Sequence, residues 1–243
     1  MAHINKLHYK ENLKNVKSDV IAKGIFEDDK KHWTITSGQM KGKVGDLAFS
    51  FSKKEKTLFF GLGKKNEATA ENFRRAAGSV VNFIIDKKYS SLAIECPTGG
   101  MEAYNCQAFT EGLILSSYRF LDYFSDERAN YHLKNITMVG TCNKNASNKG
   151  ATIANAVCDS RDLANHPGNV TTPTRLANFA KEVGKKGNMR VTVFNRDKFT
   201  KMGMGSFAGV AQGTNEPPKF IIMMDMWKNI ILKVIKNTLW EEK

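Results

Sequence analysis

The sequence predicts an α/β fold with parallel strands, and three observations support this. Short apolar runs recur along the chain, amphipathic segments lie between them, and the two kinds of segment alternate. Residues 57–61 form such a run and predict a buried strand that ends at glycine, and residues 92–94 and 136–139 predict the next two strands. Alternation of strand, helix and strand is typical of parallel pairing through crossover helices.

Two helices are predicted between these strands. Residues 69–85 carry apolar residues three and four positions apart, which make one face of a helix: Phe73, Ala77, Val80, Val81 and Ile84. Thr69 supplies a partial start signal for this helix. Residues 101–120 predict the second helix, whose apolar positions include Ala108, Leu113 and Leu115. The short apolar segment at residues 20–22 fits either a strand or the start of a helix.

A second unit is predicted after residue 150. The polar residues 141–150 indicate a boundary or linker. Residues 151–165 predict a helix that ends before Pro167, because the residue before proline is pushed out of helical geometry. Its apolar positions are Ile153, Ala156, Val157 and Leu163. A further helix begins with Thr172 as N-cap and Pro173 at the first helical position, and residues 189–194, 197–202 and 220–224 predict a strand, a short helix and a strand.

The composition favours a folded protein without a membrane span. Apolar residues make up 41% of the 243 residues, and no stretch approaches the roughly 18 apolar residues of a membrane helix. The amino terminus is polar and lysine-rich, without the apolar region of a signal peptide. These features predict a cytoplasmic protein whose cysteines are reduced and mostly buried: Cys96, Cys106, Cys142 and Cys158. Their even number permits two disulfides, although nothing in the sequence indicates secretion.

The net charge of +13 gives the chain a general attraction to polyanions. Lysine dominates this charge, and the excess is spread along the chain rather than gathered into a basic arm. A basic DNA-binding module therefore stays open as an alternative function, beside the simpler explanation of solvated lysine-rich faces.

Two glycine-rich segments lack the complete patterns of nucleotide-binding turns. Gly61-Leu62-Gly63 follows a strand and precedes a helix, but Asn66 stands where a dinucleotide turn has its third glycine. A tight strand-to-helix turn is the favoured interpretation. Residues 203–209 lack the Gly-Lys-Ser/Thr of a phosphate loop and predict a closely packed connection.

Residue types alone predict no catalytic centre. The histidines are scattered and form no His/Cys cluster of the kind that binds metals: His3, His8, His32, His132 and His166. Asp159 and Asp162 lie three positions apart with Arg161 between them. A solvated face or a pair with an arginine is favoured over two cooperating carboxylates. Serine and cysteine nucleophile motifs are also lacking.

A long, ordered series of motifs resembles the leucyl aminopeptidase (cytosol aminopeptidase) family. Residues 160–173 are similar to the family pattern Arg-Asp-Leu-x-Asn-x-Pro-x-Asn-x-x-x-Pro. Downstream matches follow at residues 176–177, 202–205, 209–214 and 217–218. Looser matches precede it at residues 42–46 and 61–63 and in the Glu-Gly-x-x-Leu-x-x-Tyr-Arg-Phe of residues 111–120. The similarity covers residues 15–224.

The resemblance implies both a domain order and an activity for full-length members. It implies a macro-domain-like N-terminal α/β domain at residues 1–145, a linker helix at residues 146–167 and an incomplete α/β catalytic domain at residues 168–243. Members of the family remove N-terminal amino acids from peptides, using two divalent metals (Zn or Mn) held by carboxylates and a lysine. They assemble as hexamers, which implies a homo-oligomer or joint assembly with a full-length relative.

The family's metal-binding segments find no match in this chain. A Val-Gly-Lys-Gly-x-x-Phe-Asp-x-Gly-Gly segment and an Asn-Thr-Asp-Ala-Glu-Gly-Arg segment are expected after the strand at residues 220–224, but residues 226–243 do not resemble them. A frameshifted, degraded or prematurely ended reading frame would explain this tail. We therefore expect no catalytic, metal-binding or substrate-binding residue, no cofactor and no peptidase activity of the chain alone. Arg161, Asp162 and Asn165 are expected to position the linker helix and the loop after it. An incomplete catalytic sheet is also expected to leave an open edge and apolar surface, which favours instability.

Overall fold

A computed structural model describes residues 3–4, 6–14, 16–29, 40–51, 55–97, 102–126 and 130–224. The chain divides into two compact units, Met1–Asp162 and Leu163–Lys243. His32 and residues 226–243 lie outside the described residues. None of the helices in the described ranges is both long and apolar enough to cross a bilayer.

Six of the described strands form the sheet of the first unit. They are His8–Lys10 (β1), Val20–Ile25 (β2), Leu47–Phe51 (β3), Lys56–Gly61 (β4), Ser91–Glu95 (β5) and Asn135–Val139 (β6). Their order across the sheet is β1-β6-β5-β2-β4-β3, and each neighbouring pair is parallel except β3 with β4. The prediction of a parallel α/β domain is confirmed, and residues 20–22 belong to a strand. Three successive residues of β5 are buried, as expected inside a parallel sheet: Leu92, Ala93 and Ile94.

Two helices pack against this sheet through one shared core. Helix α1 (Ala70–Asp86) connects β4 to β5, and α2 (Ala103–Ser117) lies between β5 and β6. The Thr69 hydroxyl accepts a hydrogen bond of 3.3 Å from the Asn72 N–H, which satisfies one free amide at the start of α1. The five predicted apolar positions of α1 are all buried. Helix α2 is shorter than predicted, and its Leu115 is only half-buried.

The expectation that all cysteines are reduced is wrong for one pair. Cys106 and Cys142 are joined by a disulfide across a sequence separation of 36, with their Cα atoms 6.6 Å apart. The fold brings the first turns of α2 beside the loop that follows β6, which the spacing of cysteines along the sequence does not reveal. Cys96 and Cys158 are buried free thiols, and burial raises the pKa of Cys96 to about 11.

The polar residues 141–150 do not separate the two units, because a helix begins within them and the first compact unit extends to Asp162. Helix α3 (Lys144–Asn165) runs without a break through the predicted boundary. Its buried stripe consists of small or polar side chains: Ser147, Gly150, Ala154, Cys158 and Asp162. The predicted apolar positions Ile153, Ala156 and Val157 are exposed instead. Small residues are needed for the close approach to α2, since a Cβ on Gly150 would lie 2.5 Å from the Gln107 carbonyl oxygen.

The second unit contains short helices and an antiparallel strand pair. In its described residues these are α4 (Pro173–Lys186), β7 (Arg190–Asn195), α5 (Arg196–Lys201), α6 (Gly205–Val210) and β8 (Lys219–Met224). As predicted, the Thr172 hydroxyl caps α4 by accepting the Arg175 N–H (3.3 Å). Phenylalanine rings stack or meet edge to face in one cluster: Phe194, Phe199, Phe207 and Phe220. Both strands remain partly exposed, and the last two residues of β8 are exposed methionines.

The glycine-rich residues 203–209 do not form the predicted closely packed connection. A Cβ placed on Gly203, Gly205 or Gly209 would meet no atom of the described part of the chain within 4 Å. From Gly205 the segment is a short helix. Gly203 has a φ of +78°, which glycine adopts without strain. The backbone conformation after α5, rather than packing, therefore explains a glycine at this position.

Asp19 ties the start of β2 to the start of β5. Its carboxylate accepts hydrogen bonds from the Ser90 N–H (2.8 Å), the Ser90 hydroxyl (2.8 Å) and the Ser91 N–H (2.9 Å). The hydrogen bond from the Ser90 hydroxyl is the largest cause that lowers the pKa of Asp19 below its ordinary value. The carboxylate therefore stabilises the fold in its charged form.

Asp19→Asn is expected to lower the free energy of unfolding at pH 7 by about 1 kcal/mol, because an amide oxygen is a weaker acceptor and water screens this exposed site. A carboxyl with a lowered folded-state pKa stabilises above its unfolded pKa and loses that contribution as the pH falls through its folded value. The difference between variant and wild type should therefore shrink below about pH 4. Urea unfolding followed by circular dichroism at pH 7 and pH 3 measures it. Asp86→Asn, at the exposed end of α1, is the control, and equal pH dependence of both variants would contradict the assignment.

Candidate functional site

Two of the segments that resemble the aminopeptidase family meet in the structure, at the ends of α2 and α3. The hydroxyl of Tyr118, the residue after α2, donates a hydrogen bond of 2.8 Å to Oδ1 of Asp162 in the last turn of α3. Asp162 is only 2% exposed. The predicted solvated face is therefore wrong for Asp162, because its carboxylate is buried and a tyrosine from a distant segment donates to Oδ1.

Arg161 contacts the same end of α2. Its Nη1 donates a hydrogen bond of 3.1 Å to the carbonyl oxygen of Leu115, which belongs to the last turn of α2, where carbonyls lack helical partners. Its guanidinium carbon lies 5.4 Å from the centre of the Tyr118 ring, within range of a cation–π interaction. Arg161 thus caps α2, and the predicted pairing of an arginine with Asp162 is wrong as well.

The amino-terminal segment packs against the same junction. The ring of His3 lies 6.3 Å from the ring of Tyr118, and its Nε2 is 3.2 Å from Oδ1 of Asn155 on α3. The Ile4 N–H donates a hydrogen bond of 2.9 Å to the Ser117 hydroxyl. His3, which the sequence presents as one of several scattered histidines, is therefore part of this junction, and no local motif would have found it.

Glu111 and Gly112 belong to the same family-like segment and lie where α1 packs on α2. Glu111 is buried, and its carboxylate accepts hydrogen bonds from Nε and Nη2 of Arg74 (3.1 and 2.8 Å) and from Nε2 of Gln107 (2.8 Å). The hydrogen bond to Glu111 raises the pKa of Arg74 above its ordinary value. A Cβ on Gly112 would collide with the Arg74 carbonyl oxygen. These residues fix the distance between the helices, and a buried ion pair of this kind has a positioning role.

The junction formed by Tyr118, Arg161 and Asp162 can hold the end of α2 against α3. The expectation that Arg161 and Asp162 position the linker helix agrees with these contacts. Asn165, the third residue of that expectation, is exposed as the last residue of α3. Asp159 is half-buried, and the Tyr118 hydrogen bond reaches Asp162 instead. The arrangement is an anchor between helix ends rather than a nucleophile with its base.

The described residues do not assemble a metal-binding group. Within those ranges, no cluster of three or more His, Cys, Asp or Glu side chains could hold a metal ion. His8 and His132 are exposed, and His3 and His166 are half-buried. The described ranges therefore do not by themselves supply the paired-metal centre that the resemblance implies for full-length members.

The turn after β4 is explained by packing. A Cβ on Gly61 would collide with the Lys43 carbonyl oxygen, and Gly63 has a φ of +77°, so the prediction of a tight strand-to-helix turn is confirmed. A cavity of about 350 Å³ at the carboxyl end of β2 is lined by Gly24, Phe26, Asp28, Asp29 and Lys65. Such crevices often bind ligands in parallel sheets. Here Asp28 already accepts the Lys65 N–H (3.0 Å) and so holds the turn before α1.

Comparison with known proteins covers both units of the chain. The family model described as "Cytosol aminopeptidase family, N-terminal domain" matches residues 34–127, and "Cytosol aminopeptidase family, catalytic domain" matches residues 159–229. The "Probable cytosol aminopeptidase" of Rippkaea orientalis is 30% identical over 84% of this chain and 46% of the relative. Its counterpart from Bdellovibrio bacteriovorus is 35% identical over 77% of this chain and 39% of the relative.

Solved structures agree with the sequence comparison. The bottromycin maturation enzyme BotP in complex with Mn superposes with a TM-score of 0.73 at 25% identity, over 85% of this chain and 45% of that protein. A mutant of tomato leucine aminopeptidase gives a TM-score of 0.71 at 19% identity, over 89% and 50%, and shows the shared fold. The chain spans about half the length of the relatives it matches. The two domain models, which together cover more than half of the sequence, and these relatives show that the chain belongs to the cytosol aminopeptidase family.

Proposed function

We propose that this chain provides the amino-terminal domain and the opening part of the catalytic domain of a metal-dependent aminopeptidase, a hydrolase that removes N-terminal amino acids from peptides. The single observation that carries the proposal is the order of the two matches, with the N-terminal domain at residues 34–127 and the catalytic domain at residues 159–229. The relatives are named as cytosol aminopeptidases, and we place this chain in the cytoplasm with them.

The proposed domain organisation consists of a macro-domain-like unit at residues 1–145, a linker helix at residues 146–167 and a catalytic portion from residue 168. In this arrangement the contacts of Tyr118 and Leu115 with α3 keep the linker helix in register with the first unit. The buried polar stripe of α3 supports this role, because hydroxyl and carboxylate groups there bond to fixed partners. A firmly anchored helix before the catalytic portion suits this role, because catalysis requires side chains that are held in fixed positions.

We further propose that the 243-residue chain does not hydrolyse peptides by itself. The family's metal-binding segments find no match in its sequence, and the described residues gather no three metal-ligand side chains. Two divalent ions would supply the polarisation of the peptide carbonyl and the activated water in full-length members. The residues of this chain would contribute the scaffold that precedes that centre.

An assay with leucine p-nitroanilide tests this proposal. The purified chain is incubated with the substrate and Mn²⁺ or Zn²⁺, beside a full-length cytosol aminopeptidase as positive control. We expect release of p-nitroaniline by the relative and none above background by this chain. Turnover by this chain that a chelator abolishes would show that it does hold a working metal centre.

Assembly is the second part of the proposal. Members of the family form hexamers, and we propose that this chain can join such an assembly of a full-length relative. Co-expression of the tagged chain with an untagged relative, followed by affinity purification and mass measurement, tests the idea. Recovery of the tagged chain alone counts against it. The DNA-binding alternative gains no support, since the relatives named above are peptidases or a maturation enzyme and the charge excess is diffuse.

A further inference from the structure

The Cys106–Cys142 disulfide joins the first turns of α2 to the loop that precedes α3. Cys106 is fully buried in the first turns of α2, and Cys142 is half-buried in the loop between β6 and α3. Their Cα separation of 6.6 Å lies within the range that a disulfide can bridge. The bond therefore crosses from the beginning of one helix to the residues immediately before the next.

The residue after Cys142, Asn143, caps α3. The side-chain Oδ1 of Asn143 accepts the N–H of Ala146 (3.0 Å), and its backbone carbonyl accepts the N–H of Ser147 (2.9 Å). The first bond satisfies an amide that has no backbone partner within the helix, and the second is the first main-chain hydrogen bond of the helix. Fixing Cys142 consequently fixes the cap of α3.

The same end of α3 rests on buried polar contacts with α2 and β1. The Ser147 hydroxyl lies 2.6 Å from the Thr110 hydroxyl and 2.7 Å from the Tyr9 hydroxyl. The Thr110 hydroxyl also reaches the Cys106 carbonyl oxygen at 3.0 Å. Hydrogen bonds between small side chains need close and constant spacing, so this contact is sensitive to any movement of the α3 cap.

We infer that Cys106 and Cys142 form a reversible redox latch, which fixes the first turn of α3 when oxidised and releases it when reduced. The inference rests on the proposed function only for the cytoplasmic location. It reconciles the disulfide in the structure with a reducing cytoplasm, where the pair would be open until the thiol pool becomes oxidised.

The unequal exposure of the two sulfurs sets the order of the exchange steps. A small thiolate, such as that of glutathione, attacks Sγ of Cys142, because Cys106 is shielded. The S–S bond breaks, Cys106 leaves as a thiolate that takes up a proton, and Cys142 is held in a mixed disulfide. A second glutathione thiolate attacks the glutathione sulfur of this intermediate and frees Cys142. Two glutathione molecules are thereby oxidised to one glutathione disulfide, and the reverse sequence closes the latch.

The other cysteines serve as internal references. Cys96 and Cys158 are buried, and burial raises the pKa of both thiols. Thiolate is the reacting form, so exchange at these two sites should be slow in the folded chain. Cys96 and Cys158 are thus expected to remain free thiols in oxidising buffer, whereas Cys106 and Cys142 are expected to form their disulfide.

Thiol counting on the wild-type chain is the first test. The chain is equilibrated in glutathione buffers of graded ratio, quenched in acid, denatured and alkylated, and its intact mass is measured. We expect two alkylated cysteines in excess glutathione disulfide and four in excess glutathione, with a peptide linking Cys106 to Cys142 in the oxidised sample. Four free thiols at every ratio, a different linked pair, or a disulfide that excess glutathione never opens would each overturn the latch.

Hydrogen exchange gives the second test, because it locates the effect. Amides of residues 143–150 should exchange more slowly in the oxidised than in the reduced chain, whereas those of α4 should not differ. Oxidation should also raise the melting temperature by at least about 5 °C, since a long closed loop restricts the unfolded chain. Cys142→Ser should abolish both responses, and Cys96→Ser should retain them. Redox-independent exchange of residues 143–150 in the wild-type chain would refute the proposal whether or not the variants fold.

Discussion

Gly112→Ala is expected to lower the free energy of unfolding of the first unit by about 3 kcal/mol. The new Cβ would collide with the Arg74 carbonyl oxygen and would lie 2.9 Å from Cβ of Ala77. Both neighbours belong to the body of α1, so neither can rotate away as a long side chain would. The helices would have to separate, and the hydrogen bonds from Arg74 to Glu111 would lengthen with them.

Gly78→Ala provides a matched control at the same pair of helices. Gly78 lies on α1, and a Cβ there would lie 2.7 Å from the Ser116 hydroxyl, a group that can rotate. Alanine also favours the helix over glycine, which offsets part of the crowding. Native-state hydrogen exchange of α1 and β5 amides, or urea unfolding, should show a much smaller loss for Gly78→Ala. Equal losses at the two sites would mean that close helix contact does not explain Gly112.

Tyr118→Phe is expected to cost about 2 kcal/mol, because it removes the donor to a buried carboxylate. Oδ1 of Asp162 would lose its 2.8 Å hydrogen bond, and Oδ2 already lacks a hydrogen-bond partner among the described residues. The ring would remain beneath Arg161, so the variant isolates the hydroxyl from the packing. The loss should appear first as faster hydrogen exchange in the last turn of α3.

A double-mutant cycle separates this bond from its surroundings. Asp162→Leu removes the carboxylate, and the double variant with Tyr118→Phe has neither an orphaned donor nor an orphaned acceptor. The double variant should therefore lose less stability than the two single losses combined. Tyr104→Phe, at a tyrosine that is 64% exposed, is the control and should change stability by less than about 0.5 kcal/mol. Strict additivity of the two junction substitutions would show that Tyr118 and Asp162 do not act as a pair.

Much of the first unit was predictable from the sequence, because its strands and α1 bury large apolar side chains. The run of residues 57–61 and the spacing of Phe73, Val80 and Ile84 both report burial directly, and the structure confirms them. The helix caps Thr69 and Thr172 could also be predicted from the local sequence, because each hydroxyl accepts a hydrogen bond from an amide only three residues away. These features need no information from distant parts of the chain.

Contacts between distant segments explain the predictions that fail. Helix α3 was expected to start late and to bury Ile153 and Val157, but its inner stripe consists of small and polar residues that hydrophobic periodicity does not register. Asp162 and Cys142 were misjudged for a related reason, because their partners lie 44 and 36 positions away in the sequence. The family resemblance predicted that Arg161 and Asp162 are positioning residues. Their partners, Leu115 and Tyr118, could be identified only from the three-dimensional structure.

The pairing of β1 with β6 has a consequence for synthesis of the chain. His8 lies opposite Thr137 and Lys10 opposite Val139, so the edge of the sheet is completed by two segments at opposite ends of the first unit. A nascent chain must leave the ribosome through residue 139 before its own first strand finds a neighbour. Contacts between residues so far apart in the sequence slow folding, and β1 stays unpaired until β6 has been synthesised. Docking of β1 should therefore be a late step in the folding of this unit.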